Sequence, residues 1–267
     1  MAMAGAVVVF AGFGNSVYNP NCAIINESFK DGEELIYKVY YQLGWVWVPA
    51  GEARFRVRDI GKHYEMKVTA RTYDSYDWFF KVRDTFASKI DKEKLLPHYF
   101  IRKVHEGNYH RYDSLVFNQS GGFAESYNGR TKKLARKKTF NYDDCMHDLL
   151  SVFYFLRNID VSRYHSGDYI PVNMLMDEKI YPIKVRYKGK EKSKEIKDLG
   201  LYNTIVVVPD LITGNVFKEG NKMTIWVSDD KNKIPLLIES PLSVGHAKAV
   251  LSSTRGNRHV FTSRVKS

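Results

Sequence analysis

From Glu33 to Ser253, apolar and polar residues alternate in short runs divided by turn residues, the period of strands that bury one face. In Glu34–Gln42, Leu35, Tyr37, Val39 and Tyr41 share one face, and Ile36, Lys38, Tyr40 and Gln42 share the other. Ala53–Ile60 and His63–Thr72 follow, parted by a turn around Gly61, then Val82–Ile90 and Tyr99–Glu106. Tyr109–Phe117 and Phe123–Tyr127 are joined across Asn118–Gly122. After one interruption the pattern resumes in Tyr169–Met176, Lys179–Tyr187, Tyr202–Val208, Lys222–Val227, Ile234–Glu239 and Ala247–Leu251.

The interruption reads as a helix. Asp143–Arg157 sets Met146, Leu149, Leu150, Phe153 and Leu156 at three- and four-residue spacings, with Asp143 or Asp144 as N-cap. Val152 and Phe155 widen the apolar stripe, so the helix must pack against or inside the curve of a sheet. Exposing that face would cost roughly 1.5–3 kcal/mol per large side chain. The expected fold is mainly β: a large curved antiparallel sheet, open and barrel-like, with one central amphipathic helix, and residues 21–267 forming a single domain.

Composition supports this reading. Hydrophobic residues make up 44% of the 267, enough for a core, and the 18 Tyr and 15 Phe favour half-buried pleated surfaces. The net charge of +11 favours anionic partners, of which lipid headgroups, acidic polysaccharide and nucleic acid are the candidates. The basic clusters at Lys132–Lys138 and Lys188–Lys197 read as solvated strand edges and loops, where lysine also discourages edge-to-edge pairing.

Residues 1–20 resemble a signal peptide. Ala2–Phe13 is apolar and uncharged, with small residues at Gly14 and Ser16, and is too short to span a bilayer. The basic stretch that should precede it is missing, which suggests a start truncated upstream of Met1; the alternative is a first strand of the fold. Export to the periplasm or the outer-membrane surface follows from the first reading and makes nucleic acid a poor partner. No other stretch has transmembrane length. An oxidising compartment would let the two cysteines, Cys22 and Cys145, form one bridge.

Candidate chemistry is sparse. A two-residue turn at Gly107–Asn108 would set His105 directly opposite His110, a weak candidate for metal and more simply a polar surface pair. Cys145 beside His147 lies near a helix start, but Asp143 and Asp144 disfavour a thiolate. Asp229 and Asp230 fit a turn better than a catalytic pair. There is no nucleophile elbow, phosphate loop, dinucleotide fingerprint or calcium loop, so no cofactor is expected. Two aromatic runs remain, one with Trp45 and Trp47 and one with Trp78, Phe79 and Phe80. They line an apolar pocket, meet a membrane interface, or belong to an aromatic core.

Several pieces, in order, resemble the exported bacterial DUF3108 family, Bacteroidetes type. Phe29, Gly32, Glu33, Leu35 and Tyr37 are similar to its opening Phe–x–x–Gly–Glu–x–Leu–x–Tyr, and Ala50–Ala53 resembles the small-residue turn that follows. Asp148, Leu149, Leu150, Ser151, Tyr154 and Arg157 resemble its central helix; Trp226–Asp230, Ile234–Pro235 and Ser243–Gly245 resemble its C-terminal hairpin. The resemblance implies export and a β-rich fold, with no assigned activity.

The expected function is therefore a non-enzymatic envelope protein. It would hold a lipid or other anionic amphiphile in the concavity, lined by Trp45, Trp47, Trp78, Phe79, Phe80, Phe153 and Leu156. The alternatives are a structural or assembly factor that meets an envelope protein through its surface, and a polysaccharide hydrolase needing two acids in a groove.

Overall fold

The structure, a computed structural model, describes residues 24–43, 45–78, 80–209, 222–242 and 245–265. The strands in chain order are β1 (Glu34–Leu43), β2 (Val46–Asp59), β3 (His63–Thr72), β4 (Arg83–Asp91), β5 (Pro97–Glu106), β6 (Tyr109–Asn118), β7 (Phe123–Gly129) and β8 (Arg136–Asn141). The helix α1 (Leu149–Leu156) follows. Then come β9 (Tyr169–Met176), β10 (Lys179–Ile196), β11 (Gly200–Pro209), β12 (Thr224–Ser228), β13 (Pro235–Pro241) and β14 (His246–Arg255).

The fourteen strands of the described residues form one antiparallel sheet in the order β8-β7-β6-β5-β4-β3-β2-β1-β14-β13-β12-β11-β10-β9. The chain winds outward from β1 to the β8 edge, crosses through α1 to the opposite edge at β9, and winds back until β14 pairs with β1. The sheet curves without closing. Opposite the β1/β14 seam, the gap between β8 and β9 is spanned by the segment leading into α1, where the His147 N–H donates to Asn173 O and His147 O accepts from Leu175 N, both at 2.9 Å. β8 is the edge strand that carries Arg136, Lys137 and Lys138, all exposed, the disposition that blocks further strand addition.

The helix lies in the concavity because its side chains complete the cores of both halves. Leu150 and Tyr154, with Met146 just before the helix, pack with Met66, Ile90, Phe100 and Leu115, while Phe155 packs with Ile170, Val172 and Val185. Phe153 stacks on Phe55 at 4.9 Å between ring centroids. Burial centres on Leu150, Ser151, Tyr154 and Phe155, and Leu149 is exposed.

Two local expectations need correction. The helix starts at Leu149 with Asp148 as N-cap, not at Asp143 or Asp144. Met146 is buried as expected, but His147 is tied to β9 as extended chain, so strand pairing claims the first turn. Ala50–Ala53 is not a turn; it lies inside β2, where a Cβ on Gly51 would sit 2.3 Å from Arg71 O.

Candidate ligand site on the inner face of the sheet

The residues that resemble the family pattern converge where α1 ends. Arg157, at the C-cap, forks onto Glu33 with Nη1–Oε1 at 2.6 Å and Nη2–Oε2 at 2.8 Å. It also donates to Asn232 O and Ser28 O. Both side chains are almost fully buried, and Phe29 and Tyr154 cover the guanidinium at 5.7 and 5.5 Å. Gly32 supplies the left-handed backbone (φ +80°) that turns the chain into β1. Asp230, in the β12–β13 turn, accepts from Asn232 N and Ser228 Oγ through Oδ1 and from Ser263 Oγ through Oδ2. These residues lock the helix to both halves.

At its other end the helix is capped by Asp148, wholly buried, which accepts from Leu150 N, Ser151 N and Ser88 Oγ. Burial pushes its carboxyl up to about 6, against those hydrogen bonds. Next to it, burial pushes the His147 imidazole down to about 4.

Beyond the helix N-terminus the inner face changes character. Phe100 on β5 and Leu115 on β6 face each other in the core; two residues on, towards the β5–β6 turn, Arg102 faces Asp113. Arg102 donates to Asp113 Oδ2 at 3.3 Å and also pairs with Asp177 in the β9–β10 turn. Arg111 meets the same Asp177 at 2.9 Å, and Lys138 on β8 reaches Glu178 at 3.0 Å. Asp177 and Glu178 both have positive φ (51° and 57°), as a tight two-residue hairpin turn requires. That turn reaches across to β5, β6 and β8.

Five buried polar atoms here have no protein partner: Arg102 Nε, Arg111 Nε, Asp113 Oδ1, Ser126 Oγ and Asn128 Nδ2. They lie on β5, β6 and β7, and each is a group that costs about 1–3 kcal/mol if left unpaired. Burial raises the Asp113 carboxyl against the pull of Arg102 and Arg111. Close by, Asp84 and Glu106 hydrogen-bond each other and burial raises both, Glu106 further through the Asp84 charge. Carboxyls in direct contact are closer than the roughly 5–9.5 Å that glycosidase pairs need.

The residues expected to line one pocket are not gathered into one. Trp45 is 98% exposed and Trp78 83%, and Phe80 is exposed too. Trp47 is half-buried against the β1/β14 core under Lys248 Nζ at 3.9 Å. Phe153 and Leu156 belong to the packed helix, and Phe79 lies outside the described residues. Trp45, Trp78 and Phe80 are instead at loop tips, and they share an end of the sheet. The β1–β2, β3–β4, β5–β6, β7–β8 and β9–β10 connections all fall there, with Tyr109, Leu134 and Ile180 also exposed. The exposed Lys81, Arg130, Lys132, Lys133 and Lys179 lie at the same end, the one nearest the polar cluster.

His105 and His110 are register partners across Gly107–Asn108, with rings 4.0 Å apart. Among the described residues no third ligand completes that pair. Cys145 is half-buried just before the helix, and Cys22 lies outside the described residues. We propose that the two are bridged; peptide mapping without reduction should recover a Cys22–Cys145 crosslinked peptide, and two free thiols would refute it.

Residues 36–252 match the family described as "Protein of unknown function (DUF3108)". The chain belongs to that family. Among curated proteins none matches it. This DUF3108 chain is similar in fold to the β-barrel-like DUF1849 protein from Brucella abortus, with a TM-score of 0.57 and 8% identity over 85% of this chain and 98% of that one. A protein described as exported, with a YmcC-like fold, from Bacteroides fragilis aligns with a TM-score of 0.33 and 11% identity over 88% and 100% of the two chains. A protein described as a lipoprotein from Parabacteroides distasonis gives 0.31 and 9% over 87% and 99%. Among the described residues no helix is long and apolar enough to cross a membrane.

Proposed function

We propose that this DUF3108 protein is an exported, non-enzymatic envelope protein that meets an anionic amphiphile at the loop-tip end of its sheet. The observation that carries this reading is the grouping of exposed Trp45, Trp78, Phe80 and Tyr109 with exposed lysines at that end. Amphipathic rings are at home at a lipid interface, and cations beside them meet headgroups. Behind them the five unpartnered polar atoms, mostly donors, suit a polar headgroup more than an acyl chain. The helix and its apolar contacts occupy the deeper part of the concavity, so the acyl portion stays at the rim.

Co-sedimentation of the full chain with vesicles tests this. Binding is expected to phosphatidylglycerol-containing vesicles and to fall with salt, with little binding to pure phosphatidylcholine. Trp45→Ser with Trp78→Ser should weaken it about tenfold or more while leaving the fold intact, because neither ring is in the core. Equal binding by the double variant, or none by the parent chain, would overturn the reading.

A further inference from the structure

At the opposite end of the sheet, three adjacent strands bring two imidazoles and a carboxylate together. His63 opens β3, Asp91 closes β4 as its register partner, and His98 stands at the start of β5. One ligand atom from each lies within 4.8 Å of the others. The two imidazoles meet edge to face at 4.7 Å between centroids. His98 Nε2 is 3.9 Å from Asp91 Oδ2, too far for a hydrogen bond.

We infer that His63, Asp91 and His98 form a binding site for a divalent transition metal of the zinc type. Two nitrogens and one oxygen make a donor set suited to zinc, which in a tetrahedral site takes three protein ligands and leaves the fourth position to water. Asp91 is already oriented for the task. Its Oδ1 accepts from Glu93 N at 2.7 Å and Lys94 N at 2.9 Å, which fixes the carboxylate and leaves Oδ2 turned towards His98. Outer hydrogen bonds of this kind hold metal-ligating carboxylates in place. Bonds of about 2.0–2.2 Å to a tetrahedral zinc put neighbouring ligand atoms about 3.4 Å apart. His98, about half exposed, needs its Nε2 only about half an ångström closer to Asp91 Oδ2, within the reach of a side-chain rotation. Asp91 and His98 also line a surface groove shared with Leu96, Val116, Phe123, Glu93 and Glu125, which gives solvent or a small ligand access to this side of the site.

The site is remote from the aromatic rim, so its test stands apart from lipid binding. Untagged full chain, stripped with chelator, is titrated with Zn²⁺ by calorimetry and with Co²⁺ by visible absorption. One ion per chain is expected. His98→Ala, an exposed change that leaves the fold intact, should weaken binding tenfold or more, and so should His63→Ala. Asp91→Asn keeps the oxygen that holds the turn but removes the charge, and should weaken it similarly. His105→Ala with His110→Ala should leave affinity unchanged. Binding that does not saturate, that survives His98→Ala together with Asp91→Asn, or that is lost in the His105/His110 double variant overturns the assignment.

Discussion

Glu33→Gln is expected to lower the unfolding free energy by roughly 3–5 kcal/mol, measured by urea or guanidinium denaturation at neutral pH. The change leaves a buried guanidinium without its counter-charge. Arg157 would keep its carbonyl acceptors at Ser28 and Asn232, which neutralise nothing. It is nearly inaccessible, packed between Phe29 and Tyr154, and so has no water to turn to. Arg157→Met alone should cost a similar amount through the stranded carboxylate. The pair Glu33→Leu with Arg157→Met should cost clearly less than the sum of the single changes, since with both charges gone no ion is left unpaired. A loss below about 1 kcal/mol for Glu33→Gln would mean that the fork does not hold the helix.

The second large effect lies in pH. The Asp148 carboxyl titrates near 6 in the folded chain against an ordinary value of 3.8, so between those limits the folded state binds the extra proton and stability falls as pH rises. The His147 imidazole titrates near 4 against 6.5, so over its window the unfolded state binds the extra proton and stability rises with pH. Two neighbouring residues thus oppose each other between about pH 4 and 6, each worth about 3 kcal/mol across its window. The parent chain should show a shallow profile there. Asp148→Asn keeps an oxygen for the cap and should expose the His147 contribution, with stability gained by about 3 kcal/mol from pH 4 to 6.5 relative to the parent. His147→Asn should tilt the profile the other way. Parallel profiles for all three chains would refute the compensation.

Much of this fold is legible in the residues because period-two alternation needs no partner to be read. His63–Thr72 and Tyr169–Met176 coincide with β3 and β9, and the other predicted strands mostly shift by a residue or two or gain length at an end. β8 escaped because Arg136–Asn141 is exposed along nearly all its length, so there is no apolar face to alternate. The helix began late because Met146 fits its spacing equally well as extended chain. The polar inner cluster left a readable trace: Asp113 shares a face with Leu115 and Phe117, a charge in a buried register. The His63–Asp91–His98 constellation left none, because it depends on two hairpin registers that no spacing rule supplies. An aromatic at a loop tip and one in a pocket look the same in one dimension, so the sequence does not mark Trp45 and Trp78 as exposed.

The strand order also dictates when the protein can become whole. Among the described strands every ladder but one joins neighbours in the chain, whereas β1 with β14 pairs Glu34 with Arg255. Closing so long a stretch carries a heavy entropic cost and postpones that pairing until the last strand is available. Until then two ribbons of zipped hairpins wait with bare inner margins, each a template for strangers. If the chain is exported unfolded, as the proposed function entails, it must complete its central ladder soon after its final strand arrives, or be shielded until it does.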